Sequence, residues 1–135
     1  MIKVFPIIDI PHVTDGDTLW VRRLWSAGEV DGVEMLGRDY AGGIPVRLAE
    51  AKELPGLNTP EKKNDPKEWA RARSDLQGWV SDWVADELEF HWLGTKSFDR
   101  WLGDIVPREP HLIGEYSALA HMRDVCGWPA YRKVT

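Results

Sequence analysis

The first third of the chain alternates apolar and polar positions as β-strands do. Residues 2–10 are rich in β-branched and aromatic side chains, and residues 18–22 alternate again after the tight-turn signal Asp15-Gly16. These two segments predict a β-hairpin. The strand pattern resumes over residues 44–48, and the glycine-rich stretch 26–43 between them is either a long loop or an inserted hairpin.

The middle of the chain changes to a helical period. Asp65 is a suitable N-cap, Pro66 fits the first helical position, and Glu68 is placed to complete a capping box. Apolar side chains then recur close to every 3.6 residues, at positions 69, 72, 76, 79, 80, 83 and 84. The spacing predicts an amphipathic helix whose tryptophan-bearing face packs against a sheet.

The last third returns to strands. Residues 88–92 alternate, residues 94–96 carry a turn signal, residues 98–106 return, and residues 115–126 form a helical pattern that stops at Gly127. Strands, a helix, two strands and a helix favour a small barrel with helices beside it over a βαβ parallel sheet. We therefore expect an α+β fold in one domain, residues 1–135, with an insertion at about 26–43.

Composition narrows the class of protein. The 135 residues include 17 Lys and Arg against 22 Asp and Glu, a net charge of −5, which disfavours broad adhesion to nucleic acid but not a local basic site. The single cysteine, Cys126, excludes an internal disulfide. The start of the chain lacks secretory features, and no apolar stretch reaches the roughly 18 residues that cross a bilayer. We expect a cytoplasmic monomer without a membrane partner, with most of its eight tryptophans in the core.

Three short clusters carry side chains with possible chemistry. The turn Asp15-Gly16-Asp17-Thr18 brings two carboxylates together, and oxygen ligands of this kind suit a hard cation such as calcium. The second cluster, Leu57-Asn58-Thr59-Pro60-Glu61, follows Arg47, and the third centres on Arg100. Each has an ordinary structural explanation, because Asp-Gly turns are common in hairpins and surface arginines and glutamates often form ion pairs.

In this order, the clusters resemble the thermonuclease, or staphylococcal-nuclease-like, family of five-stranded OB-fold phosphodiesterases. That family has an Asp-Gly-Asp-Thr turn, an Arg-Leu strand, an Asp-x-Pro-Glu loop, a helix, a hairpin with Gly-Arg, and a closing helix. The resemblance extends from about residue 7 to residue 131. It implies an OB-fold-like β-barrel with two to three helices.

The resemblance also implies a reaction and a role for each matching residue. Asp17, Asn58 and the carbonyl of Thr59 would ligate Ca²⁺. Glu61 would be the general base or would orient the attacking water, and Arg47 and Arg100 would bind the phosphate. The family hydrolyses the P–O5′ bond of single-stranded or fraying DNA or RNA and leaves 3′-phosphate ends. The chemistry requires such groups, since the anionic oxygens of a phosphodiester repel nucleophiles unless cations neutralise them.

At three points the sequence departs from the family pattern, and each bears on whether the family's residue roles apply to this chain. Asn58 stands where the family has a carboxylate, which lowers the negative charge offered to calcium. The longer link between Arg47 and Asn58 leaves room for Glu50 or Glu53 as a substitute ligand, or for Arg38 in place of Arg47. Asp99 replaces the glycine before the second arginine and could pair with Arg100.

Two functions of different classes remain open at this point. The first is a calcium-dependent nuclease, a hydrolase that uses the four side chains Asp17, Arg47, Glu61 and Arg100. The second is a catalytically inactive OB-fold module that binds an oligonucleotide or a protein partner, for which Asn58 and Asp99 would mark lost chemistry. Retention of both arginines together with Glu61 favours the nuclease, because a binding module does not require that set.

Overall fold

The structure is a computed structural model that describes residues 2–51, 54–109 and 116–129. Within them the fold is mixed α+β. The strands are β1 (Lys3–Asp15), β2 (Thr18–Val30), β3 (Val33–Arg38), β4 (Ile44–Ala51), β5 (Leu54–Pro55), β6 (Leu88–Ser97) and β7 (Arg100–Pro107). The helices are α1 (Pro66–Ser81), a 3₁₀ turn (Ala85–Glu87) and α2 (Ala118–Ala120), which continues into a π-helical turn (His121–Val125).

The strands form one sheet in the order β3-β2-β1-β6-β7-β4-β5, with β2 also paired to β4. This extra pairing links β1, β2, β4, β7 and β6 in a closed ring of strand contacts. The β4–β7 pairing is parallel and every other pairing among the described strands is antiparallel. Residue 47 of β4 therefore has Thr18 of β2 on one side and Leu102 of β7 on the other.

The predicted first hairpin is present and longer than its pattern suggested. β1 runs to Asp15, and β2 starts at Thr18 after a turn at Gly16 and Asp17. In the stretch 26–43, β2 continues to Val30 and pairs with β3, so an inserted hairpin occupies most of it.

The second hairpin differs from its prediction. The expected turn at 94–96 is wrong, because β6 continues to Ser97 and the turn lies at Phe98 and Asp99. Gly94 has a φ of +85° and the register shifts between Trp92 and Lys96, so the glycine supports an irregularity within the strand. The strand can continue past this point, since the left-handed backbone is easy for glycine.

Helix α1 begins at the predicted residue, but the predicted capping box is only half formed, because the Asp65 N–H donates to the Glu61 carbonyl and the Glu68 carboxylate pairs with Arg71. The Asp65 side chain accepts a hydrogen bond from the Glu68 backbone N–H at 3.2 Å, and Pro66 is the first helical residue. Ala72, Leu76 and Trp79 are buried. The predicted apolar stripe extends too far, since the helix ends at Ser81 and Val84 beyond it is exposed.

The core lies inside the ring of strands and under α1 and α2. Its fully buried side chains include Leu19, Val46, Leu48, Phe90 and Ile105. Most of the eight tryptophans belong to the core or pack against it, as expected: Trp79 and Trp128 are buried, and three partly exposed rings, Trp83, Trp92 and Trp101, pack against the core. These rings are large enough to cover core edges while one side remains in contact with water.

The closing helix is short. Ser117 is its N-cap and accepts from the Ala120 N–H at 3.1 Å, and the first residues of the predicted span 115–126 lie partly outside the described residues. Asp104 of β7 fixes the helix, because its Oδ1 accepts from the Leu119 N–H at 3.0 Å. No helix in the described ranges is long and apolar enough to span a membrane.

Candidate active site

One cavity collects all six side chains singled out by the sequence. It has a volume of about 350 Å³ and is lined by Asp15, Asp17, Arg47, Leu57, Asn58, Thr59, Pro60, Glu61, Lys62 and Arg100. These residues come from four separate segments: the β1–β2 turn, β4, the loop before α1, and the start of β7. The tertiary structure therefore gathers positions up to 85 residues apart into one pocket, as the separation of Asp15 and Arg100 shows.

Asp17 is the most buried charged group of this cavity, with 8% of its surface exposed. Its Oδ1 accepts from the Thr18 hydroxyl at 2.9 Å, and its backbone carbonyl accepts from the Leu48 N–H at 2.8 Å. Burial raises the pKa of Asp17 above its ordinary value, although the Arg47 guanidinium and the Thr18 hydroxyl oppose this rise. The carboxylate therefore lacks part of the stabilisation that water would provide.

The two arginines approach Asp17 and Thr18 from neighbouring strands. Arg47 Nε lies 3.5 Å from Asp17 Oδ2, a distance of electrostatic attraction, and this buried nitrogen has no hydrogen-bond partner among the described residues. Arg100 Nη1 donates to Thr18 Oγ1 at 3.4 Å. Because each guanidinium has five donor N–H groups, both arginines retain donors for a further anionic ligand.

The loop that contains Asn58, Thr59 and Glu61 is anchored at its start. Leu57 is fully buried, and the Asn58 N–H donates to the Pro129 carbonyl at 2.9 Å. Glu61 lies at the exposed end, with its carboxylate 3.6 Å from Lys63 Nζ and 3.4 Å from Asn64 Nδ2. Its side chain is 64% exposed, so it can reorient toward the cavity at little energetic cost.

A second carboxylate of the turn is held by helix α1. Trp69 Nε1 donates to Asp15 Oδ1 at 2.6 Å, and Lys62 Nζ lies 4.8 Å from the centre of a Trp69 ring. Sequence reasoning placed Trp69 in a packing face, named Asp15 only as one of the two turn carboxylates that could face a hard cation, and gave Lys62 no role. The Asp-Gly-Asp pattern is the only signal that pointed to Asp15, and none pointed to Trp69, because an indole contact between residues 54 positions apart leaves no local pattern.

The alternative residues considered for the site lie elsewhere or outside the described ranges. Glu50 pairs with Arg123 at 3.0 Å on the α2 side of the sheet, and Arg38 is at the base of the β2–β3 hairpin. Glu53 lies outside the described residues. Asp99 forms no ion pair with Arg100 in the described part of the chain, where the contact of Arg100 is with Thr18.

The oxygen donors of the cavity suit a hard cation better than a soft one. They are the carboxylates of Asp15 and Asp17, the Asn58 amide and the Thr59 carbonyl, on residues that line one space. The described residues contain no cluster of three acidic, histidine or cysteine side chains placed to hold a metal ion. A cation here would therefore depend on neutral oxygens for part of its coordination.

Comparison with known proteins adds no family assignment, since no family model, curated protein or solved structure matches this chain.

Proposed function

We propose that the protein is a nuclease that hydrolyses phosphodiester bonds of single-stranded or fraying DNA or RNA, on a five-stranded OB-fold of the thermonuclease type. The strand ring supports the fold part of the proposal. Its closed order of β1, β2, β4, β7 and β6, with β4 and β7 parallel, is the connectivity expected of a five-stranded Greek-key barrel.

The observation that carries the functional part is the shared cavity. Arg47, Arg100, Asp17 and Glu61 all line it, although they lie on different segments of the chain. Phosphodiester hydrolysis needs cationic donors for the phosphate oxygens and a carboxylate for the attacking water, and the cavity offers both kinds of group.

The arginines bind and neutralise the scissile phosphate in this proposal. The Arg47 Nε group is buried without a hydrogen-bond partner among the described residues, and a phosphate oxygen would satisfy it. Arg100 touches the site through Thr18 and has further donors to offer. The charge they neutralise grows as phosphorus becomes five-coordinate, so their contribution is larger in the transition state than in the bound substrate.

Glu61 accepts the proton of the attacking water. The water oxygen forms the new bond to phosphorus, the P–O5′ bond breaks, and the O5′ leaving group takes up a proton from solvent. The products are a 3′-phosphate and a 5′-hydroxyl end. The exposed position of Glu61 at the edge of the cavity leaves room for a water between its carboxylate and a bound phosphate.

Calcium fits the donor set of this cavity. Asp17, Asn58 and the Thr59 carbonyl would hold it, with Asp15 beside them, and it would supply a positive charge that polarises the phosphate. The burial of Asp17 supports a cation, because the raised pKa of this carboxyl indicates that its negative charge is incompletely compensated. Asn58 contributes an oxygen without charge, so we expect weaker calcium binding than three carboxylates would give.

Degradation of heat-denatured DNA by the purified protein tests the proposal. The reaction is run with calcium, with magnesium in its place and with a chelator, and the ends are analysed for 3′-phosphate. We expect calcium-dependent cleavage that Glu61→Gln lowers at least ~10²-fold. Glu29→Gln, a matched change on the distant β2–β3 hairpin, should leave the rate unchanged. Cleavage that survives Glu61→Gln would remove this residue from the mechanism.

A second candidate is an inactive module that binds an oligonucleotide. It is favoured by a group of aromatic rings with cations beside them: Lys96 Nζ lies 4.4 Å from the Trp101 ring centre, and Trp92 stands 4.5 Å from Trp101. Such surfaces hold single-stranded bases by stacking. Tight binding of a single-stranded oligonucleotide by a folded protein that cleaves nothing with any metal would support this candidate over the nuclease.

A further inference from the structure

Residues 127–129 turn back from the closing helix toward the loop that carries Asn58 and Thr59. We call this stretch the return segment. The Pro129 carbonyl accepts a hydrogen bond from the Asn58 backbone N–H at 2.9 Å. Asn58 and Thr59 both line the candidate active site. The return segment therefore contacts the loop at the residue where the proposed calcium ligands begin.

Gly127 allows the chain to turn in this direction. Its φ is +79°, in the left-handed region that glycine enters at little cost. Beyond it, the Trp128 backbone N–H donates to the Met122 carbonyl at 2.9 Å, a hydrogen bond that closes the turn around the glycine. An added Cβ at Gly127 would have nothing within 4 Å among the described residues, so the backbone conformation alone favours glycine here.

Trp128 fixes the return segment against helix α1. It is 6% exposed, and its indole Nε1 donates to Asp75 Oδ2 at 2.9 Å. The Arg71 guanidinium carbon lies 4.6 Å from the centre of a Trp128 ring, within the range of cation–π contacts. Arg71 and Asp75 are four residues apart on one side of α1, so the helix holds both the face and the polar edge of the indole.

The start of the same loop packs on the closing helix. An added Cβ at Gly56 would lie 2.4 Å from Leu119 Cδ1, so little space separates the two segments, and Leu57 is fully buried. At the other end of the loop, the Glu61 side chain is 64% exposed. The loop is thus fixed where the proposed calcium ligands lie and exposed where the proposed general base lies. Such an arrangement favours a cation, because oxygen donors that are ordered before binding lose little entropy when the cation arrives.

We infer that the return segment positions Asn58 and Thr59 for the cation and that Trp128 is the positioning residue. Its contacts with α1 hold Pro129 in place, and the hydrogen bond from the Asn58 N–H then places the Asn58 amide and the Thr59 carbonyl at the cavity. Trp128 lies outside the set of residues that line the cavity, so it acts through this backbone contact. The inference rests on the calcium site of the proposed function and adds the element that orders it.

Two glycine variants with matched backbone strain test the inference. Gly127 and Gly32 both have a φ of +79° and nothing within 4 Å of an added Cβ among the described residues, but Gly32 lies in the turn of the β2–β3 hairpin. Amide hydrogen exchange is measured by NMR in Gly127→Ala and Gly32→Ala. We expect Gly127→Ala to speed exchange of the Asn58 N–H at least ~5-fold, because opening of the return segment relieves its strain, and Gly32→Ala to leave that rate unchanged.

Calcium binding provides the second readout. Trp128→Phe keeps an aromatic ring but removes the donor to Asp75, and Trp83→Phe is the matched change of a tryptophan that packs against the core after α1. Isothermal titration calorimetry should give a calcium Kd that is several-fold higher in Gly127→Ala and Trp128→Phe and unchanged in Gly32→Ala and Trp83→Phe. A merely structural role would lower the stability of these variants without this selective change in Kd.

Equal Asn58 exchange in Gly127→Ala and Gly32→Ala overturns the inference, as does a calcium Kd that neither Gly127→Ala nor Trp128→Phe raises. Nuclease activity that persists in either case leaves the proposed function standing. If the unchanged protein binds no calcium, the calcium site of the proposed function is wrong. A selective rise in Asn58 exchange would then still support the return segment as the element that holds this loop. NMR spectra of each free variant confirm that it is folded.

Discussion

Helix α1 packs tightly against the first hairpin at Gly16, in the turn that holds Asp15 and Asp17. A Cβ added at Gly16 would lie 2.5 Å from the Ala72 Cβ, 3.0 Å from the Ala72 carbonyl carbon and 3.2 Å from its oxygen. All three atoms belong to the first carbon or the backbone of a helical residue, so no side-chain rotation relieves the contact. We predict that Gly16→Ala destabilises the protein and displaces the turn.

The expected magnitude follows from this geometry. One extra methyl group in a well-packed contact typically costs about 1 to 3 kcal/mol, and rigid partners place Gly16→Ala in the upper half of that range. Gly78→Ala is the matched control, because Gly78 lies in the same helix with nothing within 4 Å of an added Cβ. That variant should gain about 0.5 to 1 kcal/mol, since alanine favours helix more than glycine does.

Urea unfolding followed by tryptophan fluorescence measures both free energies of unfolding. Combining Gly16→Ala with Ala72→Gly removes the 2.5 Å contact and leaves the two backbone contacts. The double variant should therefore recover part of the loss, with a coupling energy of at least about 1 kcal/mol. Since the turn carries two carboxylates of the site, Gly16→Ala should also weaken calcium binding, which isothermal titration calorimetry would detect.

If the free energy of unfolding of Gly16→Ala lies within about 0.5 kcal/mol of that of the unchanged protein, the turn does not pack closely on α1. Absence of coupling with Ala72→Gly would be equally damaging, because it would place the strain somewhere other than this contact. A loss of stability of the same size in Gly78→Ala would show that the effect of an added methyl group is not specific to the contact between Gly16 and Ala72.

Three further predictions concern individual side chains. Because burial raises the pKa of Asp17, the folded state holds its proton more tightly than the unfolded state, so this group lowers stability as pH rises from 3.8 through the folded pKa. Asp17→Asn should therefore be more stable than the unchanged protein at about pH 7 yet inactive, and lower stability in urea titrations would show that the pairing with Arg47 outweighs burial. Trp69→Phe keeps an aromatic ring but removes the N–H that donates to Asp15. We expect the free energy of unfolding to fall by on the order of 1.5 kcal/mol and calcium to bind more weakly. Unchanged calcium binding by calorimetry would show that Trp69 does not position Asp15. Arg23→Ala removes a guanidinium that lies 4.4 and 4.3 Å from the Phe5 and Trp101 ring centres. It leaves the largely buried Asp39 carboxylate without its cation and with only the hydrogen bond from the residue 23 backbone N–H, so it should cost about 3 kcal/mol in thermal unfolding and be partly rescued by Asp39→Asn.

Local patterns in the sequence were sufficient to predict several secondary-structure elements. The start of α1 was predicted to the residue, because the N-cap of Asp65, the proline at position 66 and the apolar period all act over a few residues. The first hairpin was predicted for the same reason, since Asp15-Gly16 is a local turn signal. Prediction failed in the second hairpin, where Gly94 indicated a turn but the turn lies at Phe98 and Asp99.

For the candidate site, too, the sequence and the tertiary structure supply different information. The sequence by itself determined which side chains are chemically capable, namely Asp17, Arg47, Asn58, Thr59, Glu61 and Arg100. Only the tertiary structure decided that they share one cavity, because strand pairing places Arg47 beside Thr18 and Leu102, and that pairing depends on contacts between distant segments. It also placed Lys62 in the cavity, showed that Trp69 holds Asp15, and separated Glu50 from the site by its ion pair with Arg123. The sequence specifies residue types and local structure directly, whereas the proximity of the site residues depends on the burial of side chains that lie far apart in the sequence.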